Sequence, residues 1–212
     1  MTMSGALQEA KQDRSRETLE NILRATRELL RTQDFESITI RKIIKEAGTS
    51  IGSFYARFRD KDALLPVLYA EYESRLRRKL TALENETETA SSLRELAAIF
   101  VDHIIDIKGE IPNLSRALFE YATREPDSKD SKDLSKRRMS QYGFIFKAFL
   151  RFEDEIQHPD PERGIELGIY FTVTACRIRL LYPKNPQTRT LKLNKPELRE
   201  ELQRLLCSYL LF

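Results

Sequence analysis

The amino-acid sequence predicts an all-α protein on three observations. Nearly every segment repeats its apolar residues at a helical period, no stretch sustains the apolar/polar alternation of a strand, and only seven glycines serve 212 residues. The 41% apolar composition suffices for a real core. A first helix is predicted from Ser15 to Arg31, where Leu19, Ile22, Leu23, Thr26, Leu29 and Leu30 share one face. Asp34 stands at the following turn, in a place usually given to glycine. Thr39 caps a second helix, Ile40 to Ala47, which Gly48 stops. Thr49 or Ser50 then caps a third, Ile51 to Phe58, and Asp60 caps a fourth that runs to about Leu83, with Pro66 inside it as a candidate kink.

Beyond the polar run "ENETETASS", helices are predicted at about Ser91 to Asp106, Ile111 to Arg124, Ser131 to Phe152, Pro161 to Tyr182 and Lys195 to Leu211. Gly109 with Pro112, Pro126, "HPDP" and the loop "YPKNPQTRTLKLNKP" separate them. The composition shift near residue 85 divides a small basic head from a larger helical body. The expected organisation is a flexible arm over residues 1–14, a head over 15–60 and a body over 61–212.

Charge is nearly balanced, with 36 basic against 33 acidic residues and a net of +3, so a nucleic-acid role must rest on local charge. The N-terminal residues lack the apolar core of a secretory signal, and no later stretch approaches a membrane span, so the expected location is cytoplasmic with no membrane partner. Cys176 and Cys207 have no metal-ligand spacing and read as buried thiols. No metal and no cofactor is expected.

The local charge lies between Thr39 and Lys61, where Arg41, Lys42, Lys45, Arg57, Arg59 and Lys61 face only Glu46 and Asp60. Two short helices joined at a glycine form a helix-turn-helix, in which the first braces the second for entry into a DNA major groove. One longer helix has no such brace. Ile40, Ile43, Ile44 and Ala47 supply the packing face of the brace, and Phe54 and Phe58 that of the inserted helix. Ile51, Gly52, Ser53, Tyr55, Ala56 and Arg57 remain outward.

Thr39, Arg41, Ile43, Ala47, Gly48, Ser50, Gly52, Tyr55, Phe58, Lys61 and Leu64 follow, in order and spacing, the head of the tetracycline-repressor (TetR) family, which the chain resembles over about residues 15 to 75. The body resembles that family only in length and helical layout. Three positions depart from its pattern: Asp34 for a frequent Gly, Ile44 for Ala, and Arg57 for an aromatic residue or His. The resemblance implies a DNA face made of Thr39, Arg41, Ser50, Ile51, Gly52, Ser53, Tyr55, Ala56, Arg57 and Lys61. Within it, Thr39, Tyr55 and Lys61 are expected on phosphates, while Arg41, Ile51, Ser53, Ala56 and Arg57 face bases. Gly52 leaves room for close approach. Tyr55 also reads as a core tyrosine, and Arg57 as a phosphate clamp. Lys11, Arg14 and Arg16 belong to an arm that either brushes the DNA backbone or minor groove or is a disordered tail.

In the body, Gly164, Gly168, Thr172 and Cys176 form a small-residue stripe, and Leu198, Leu202, Leu205 and Tyr209 repeat at heptad-like spacing. Both stripes fit either a dimer interface or the chain's own core. The resemblance and the two-fold logic of helix-turn-helix binding favour a homodimer. Phe100, His103, Phe119, Tyr142, Phe146, Phe149, Tyr170 and Thr174 are candidates for lining an effector cavity, with ordinary core packing as the alternative. Its occupant would be an apolar or amphipathic small molecule. No nucleophile motif, paired carboxylate or HExxH occurs, so an enzyme is not expected. The expected function is a ligand-responsive, sequence-specific transcriptional regulator, a repressor that binds a palindromic operator as a homodimer. The alternative is a helical sensor or interaction protein without specific DNA readout.

Overall fold

A computed structural model describes residues 3–124 and 143–211. Among these residues the regular structure is helical: α1 (Met3–Leu30), α2 (Ile40–Glu46), α3 (Ile51–Tyr55), α4 (Leu64–Thr89), α5 (Leu93–Gly109), α6 (Pro112–Thr123), α7 (its described part 143–150), α8 (Pro161–Leu181), α9 (Pro186–Arg189) and α10 (Lys195–Leu211), with short 3-10 turns at Phe35–Ser37 and Glu153–Glu155. Packing divides the chain into two compact units. One comprises Met1–Tyr72 with Asn113–Tyr121, the other Glu73–Pro112 with Ala122–Phe212.

Four local expectations change. First, α1 begins at Met3, well before Ser15. Second, Pro66 is the third residue of α4, where its missing N–H would have no intrahelical partner anyway, so it sits in the first turn and does not kink the helix interior. Third, "ENETETASS" does not break the chain at its start, because α4 continues through Thr89 and the break falls at Ala90 to Ser92. Fourth, Asp34 has an extended backbone (φ −70°, ψ 144°), not the left-handed turn geometry that glycine serves. The turn after α1 closes instead through Thr32 and Gln33, whose N–H groups donate to Leu29 O at 3.2 and 3.0 Å.

In the first unit, Ile22, Leu30, Ile38, Ile43, Phe54, Leu64, Leu65 and Leu68 are all at most 1% exposed, so α1 to α4 share one core. Most of α6 belongs to this same unit. Asn113 Nδ2 donates to Leu30 O at 3.0 Å, satisfying a carbonyl at the end of α1, and the Arg116 guanidinium pairs with the Asp34 carboxylate. The ring of Tyr121 lies 6.3 Å from that of Tyr69. Nothing in the periodicity of α6 announced this placement.

In the second unit, α5 is the buried centre, with Leu96, Ala97, Phe100, Val101, Ile104 and Ile105 fully enclosed, and α8 and α10 pack on it and on each other. Each helix starts on a cap: Ser92 Oγ accepts from Glu95 N, and Asp160 Oδ1 from Arg163 N ahead of Pro161. At α10, Asn194 and Glu197 exchange side-chain to backbone bonds at 2.9 and 2.7 Å. A polar seam joins α10 to α5 through Lys195 with Asp106 (2.8 Å), Arg199 with Asp102 (2.7 Å) and Gln203 with Asp102 (3.0 Å). The Lys195 hydrogen bond holds the Asp106 carboxyl below its ordinary range. Both thiols are buried and free, and burial pushes Cys176 up to about 12, so it stays protonated. No helix among the described residues is long and apolar enough to cross a membrane.

Candidate nucleic-acid interface

The turn between α2 and α3 follows from one residue. Gly48 adopts φ +61°, which a side chain would strain, and the bonds Gly48 N to Lys45 O (3.3 Å) and Thr49 N to Ile44 O (3.0 Å) close the end of α2 in a Schellman arrangement. Thr39 Oγ1 accepts from Lys42 N (3.3 Å) and Ser50 Oγ from Ser53 N (3.1 Å), so a hydroxyl caps each short helix. Of the expected brace, Ile43 and Ala47 are buried while Ile40 and Ile44 are half-buried. Phe54 and Phe58 anchor α3 with their rings 5.5 Å apart.

What faces outward is an apolar and hydroxyl surface. Ile51 is 49% exposed and Tyr55 53%, so Tyr55 is no core tyrosine, although its ring meets Phe54 edge-on at 5.6 Å. Gly52 and Ala56 are exposed beside them, and a Cβ on Gly52 would meet nothing closer than Ser50 Oγ at 3.9 Å. The gap at Gly52 therefore serves no internal packing. Ser50 Oγ donates to Ser53 Oγ at 3.0 Å, which leaves the Ser53 hydroxyl hydrogen to donate outward. Thr39, the cap of α2, and Arg41 on that helix are exposed, and among the described residues the Arg41 side chain has no partner.

The two other cations of the expected face are engaged within the chain. Lys61 Nζ donates to Phe35 O (2.8 Å) and Glu36 O (3.4 Å) and lies 4.5 Å from the centre of the Phe35 ring. It thereby closes the 3-10 turn before α2. The Arg57 guanidinium donates to Ser15 O, Ser15 Oγ and Ser53 O, tying α3 to α1. The contacts of Lys61 with the 3-10 turn and of Arg57 with Ser15 carry no sequence signal, since they join residues 25 to 42 positions apart with no periodicity between them.

In the second unit, the expected effector-lining residues scatter. Phe100 and Phe149 are fully buried and packed edge-on against each other at 5.9 Å. Phe119 lies on α6 in the first unit. Phe146 is half-buried, and Tyr142 lies outside the described residues. His103 Nε2 meets Glu86 Oε2 at 2.9 Å. Tyr170 is 59% exposed on α8, and Thr174 lines an open groove between α8 and α10.

That groove, of about 1000 Å³, is walled by Phe171, Ala175, Ile178, Leu191, Leu198 and Leu205. Three of its side chains stand strongly exposed: Phe171 at 46%, Leu191 at 51% and Leu205 at 52%. The expected interface stripe is in part internal. A Cβ on Gly168 would approach Leu206 Cδ1 to 2.8 Å, and one on Gly164 the His158 ring to 2.8 Å, so these glycines seat α10 and His158 against α8. Thr172, Leu198 and Leu202 are buried too, whereas Tyr209 is half-buried and Leu205 faces out.

Residues 22–68 match the family model described as "Bacterial regulatory proteins, tetR family". No curated protein matches the chain. Solved structures share the fold over nearly the whole length. The MbdR regulator from Azoarcus sp. CIB aligns with TM-score 0.61 at 15% identity, covering 92% of this chain and 100% of that one. FadR from Bacillus subtilis, solved in complex with stearoyl-CoA, aligns with TM-score 0.59 at 15% identity over 91% and 99%. A TetR transcriptional regulator from Rhodococcus sp. RHA1 aligns with TM-score 0.51 at 16% identity over 92% and 96%. The helix-turn-helix, its outward face and the match across it lead to one conclusion: over residues 22–68 this chain carries a DNA-binding head of the kind found in the tetR family of bacterial regulatory proteins.

Proposed function

We propose that the chain is a homodimeric cytoplasmic repressor that occupies a two-fold operator and releases it in response to an apolar or amphipathic small molecule. The outward face of α3 carries this reading, because Ile51 and Tyr55 stand about half exposed and Gly52 leaves a gap that no internal contact needs. Arg41 and the Ser53 hydroxyl supply donors for base edges, Ile51 and Ala56 suit thymine methyls, and Thr39 and Tyr55 reach phosphates. Two such heads can meet successive major grooves about 34–36 Å apart. The exposed apolar wall of the α8/α10 groove supports a second copy as the dimer partner. Repression needs nothing beyond occupancy of the operator.

The effector class rests on the apolar composition of the second unit and on the stearoyl-CoA held by the similar Bacillus subtilis FadR. An effector that releases DNA must, by linkage, bind more weakly when operator is present. The deciding experiment selects bound sequences from a random DNA pool. A shared palindrome is the expected result, and enrichment of nothing specific would leave a helical sensor without DNA readout. On that operator, Gly52→Ala is expected to leave thermal stability unchanged or raised by about 0.5–1 kcal/mol, since a helix interior prefers alanine. The same methyl projects into the groove contact and weakens operator binding by about 1–3 kcal/mol, as overpacking does.

A further inference from the structure

Arg57 occupies the position where the sequence departs from the head pattern, and a guanidinium there suggests bidentate reading of a guanine. The structure shows it otherwise employed. Nε donates to Ser15 O at 3.3 Å, Nη2 to Ser15 O at 3.1 Å and to Ser15 Oγ at 3.0 Å, and Nη1 to Ser53 O at 2.8 Å. These bonds occupy four of the five N–H groups of the guanidinium. One N–H remains, and a bidentate guanine contact takes two. Reading a base would therefore require Arg57 to abandon α1.

We propose that Arg57 is a positioning residue for DNA recognition: it pins the short recognition helix to α1 through Ser15 and so fixes the angle at which Ile51, Ser53 and Tyr55 meet the groove. The proposal rests on the DNA-binding reading above. Its physical basis is the size of α3. Five residues give a helix barely more than one turn, anchored on one side by Phe54 and at its C-terminal end by Phe58. Apolar contacts of two rings leave rotation about the helix axis weakly restrained. The planar, multiply bonded guanidinium supplies a directional restraint that an aromatic or imidazole side chain at this place could not, since neither carries four donors. The Ser53 carbonyl is held by the same group, adjacent to the Ser53 hydroxyl that faces outward. Specificity in this chain then depends on α1 as well as on the outward face of α3.

The test compares Ser15→Ala, Arg57→Ala, Arg57→Lys and the double variant Ser15→Ala/Arg57→Ala in the full-length protein. Each is titrated against the selected operator, a set of its single-base variants and mixed-sequence DNA. Ser15 is exposed on a helix that alanine favours, so Ser15→Ala keeps the fold, and thermal unfolding verifies this. Losing one of several charge-assisted bonds is expected to weaken operator binding roughly threefold, and losing all of them roughly tenfold or more. The double variant is expected to match Arg57→Ala alone, because both changes cut the same restraint. Arg57→Lys keeps the charge and the affinity for mixed-sequence DNA, yet loses preference at every base position read by α3. If Arg57 instead reads a base, Ser15→Ala, which loosens its tether by one bond, leaves operator binding unchanged or tightens it, and Arg57→Ala relaxes a single base position with the others intact. Either result overturns the proposal. A wild-type protein with no sequence preference at all would mark failure of the DNA reading itself.

Discussion

Replacing Phe54 with alanine is expected to destabilise the head by about 3–5 kcal/mol, the cost of removing a fully buried aromatic ring from a packed core. Phe54 is 0% exposed, and its ring meets both Phe58 and Tyr55. With typical net stabilities of about 5–15 kcal/mol, such a loss takes much of what holds the head together. The short α3 cannot survive by propensity alone, since isolated helices under about 12 residues are marginal in water. Operator binding is therefore expected to disappear along with the near-ultraviolet circular dichroism of the head tyrosines. Tyr55→Phe serves as the contrast, because it removes only an exposed hydroxyl and is expected to keep the denaturation midpoint within about 0.5 kcal/mol of the parent. Chemical denaturation of both variants checks the pair.

Leu205→Glu is the second large effect, and it works through assembly. Leu205 is 52% exposed, so charge there leaves each chain folded, with less than about 0.5 kcal/mol of change. If the α8/α10 groove seats a second copy, the variant buries a carboxylate against Phe171 and Leu191 and the dimer separates. Two linked heads gain avidity that a lone head lacks, so operator affinity is expected to fall roughly a hundredfold or more. Sedimentation velocity reads the change as a shift to monomer. A wild-type chain found monomeric at micromolar concentration, and still tight on a palindrome, would contradict this account. Leu202 and Gly168 are poorer probes. Leu202 is 5% exposed, and bulk at Gly168 collides with Leu206 inside the same chain, so either change damages the fold before it tests the dimer.

These contrasts show where the sequence could be read and where it could not. Gly48, the caps at Thr39 and Ser50 and the anchors Phe54 and Phe58 act over fewer than ten residues, and local spacing displays such roles directly. Lys195 to Leu211 was likewise legible end to end, because its leucines repeat at a helical spacing right after a loop rich in proline. Arg57 and Lys61 were legible as cations but not as bonded ones, since all their acceptors but the Ser15 hydroxyl are backbone oxygens, which any residue type would offer. The small-residue stripe was read with an open choice of partner. Gly168 turns out to seat Leu206 of its own chain, a detail of depth that a periodicity carries no measure of. Asp34 read as a turn residue in place of glycine, and its actual partner, Arg116, is 82 positions away.

That pairing means that the head is not portable as a contiguous stretch of chain. A fragment ending at Tyr72 contains every helix of the DNA-binding motif yet lacks Asn113 and Arg116, leaving the Leu30 carbonyl without its amide donor and the Asp34 carboxylate without its cation. On the ribosome, the motif emerges and waits until residues 73–112 have been synthesised before α6 can splint it. A chimera that grafts this head onto another regulator must bring α6 along, or supply a donor and a cation of its own at the end of α1.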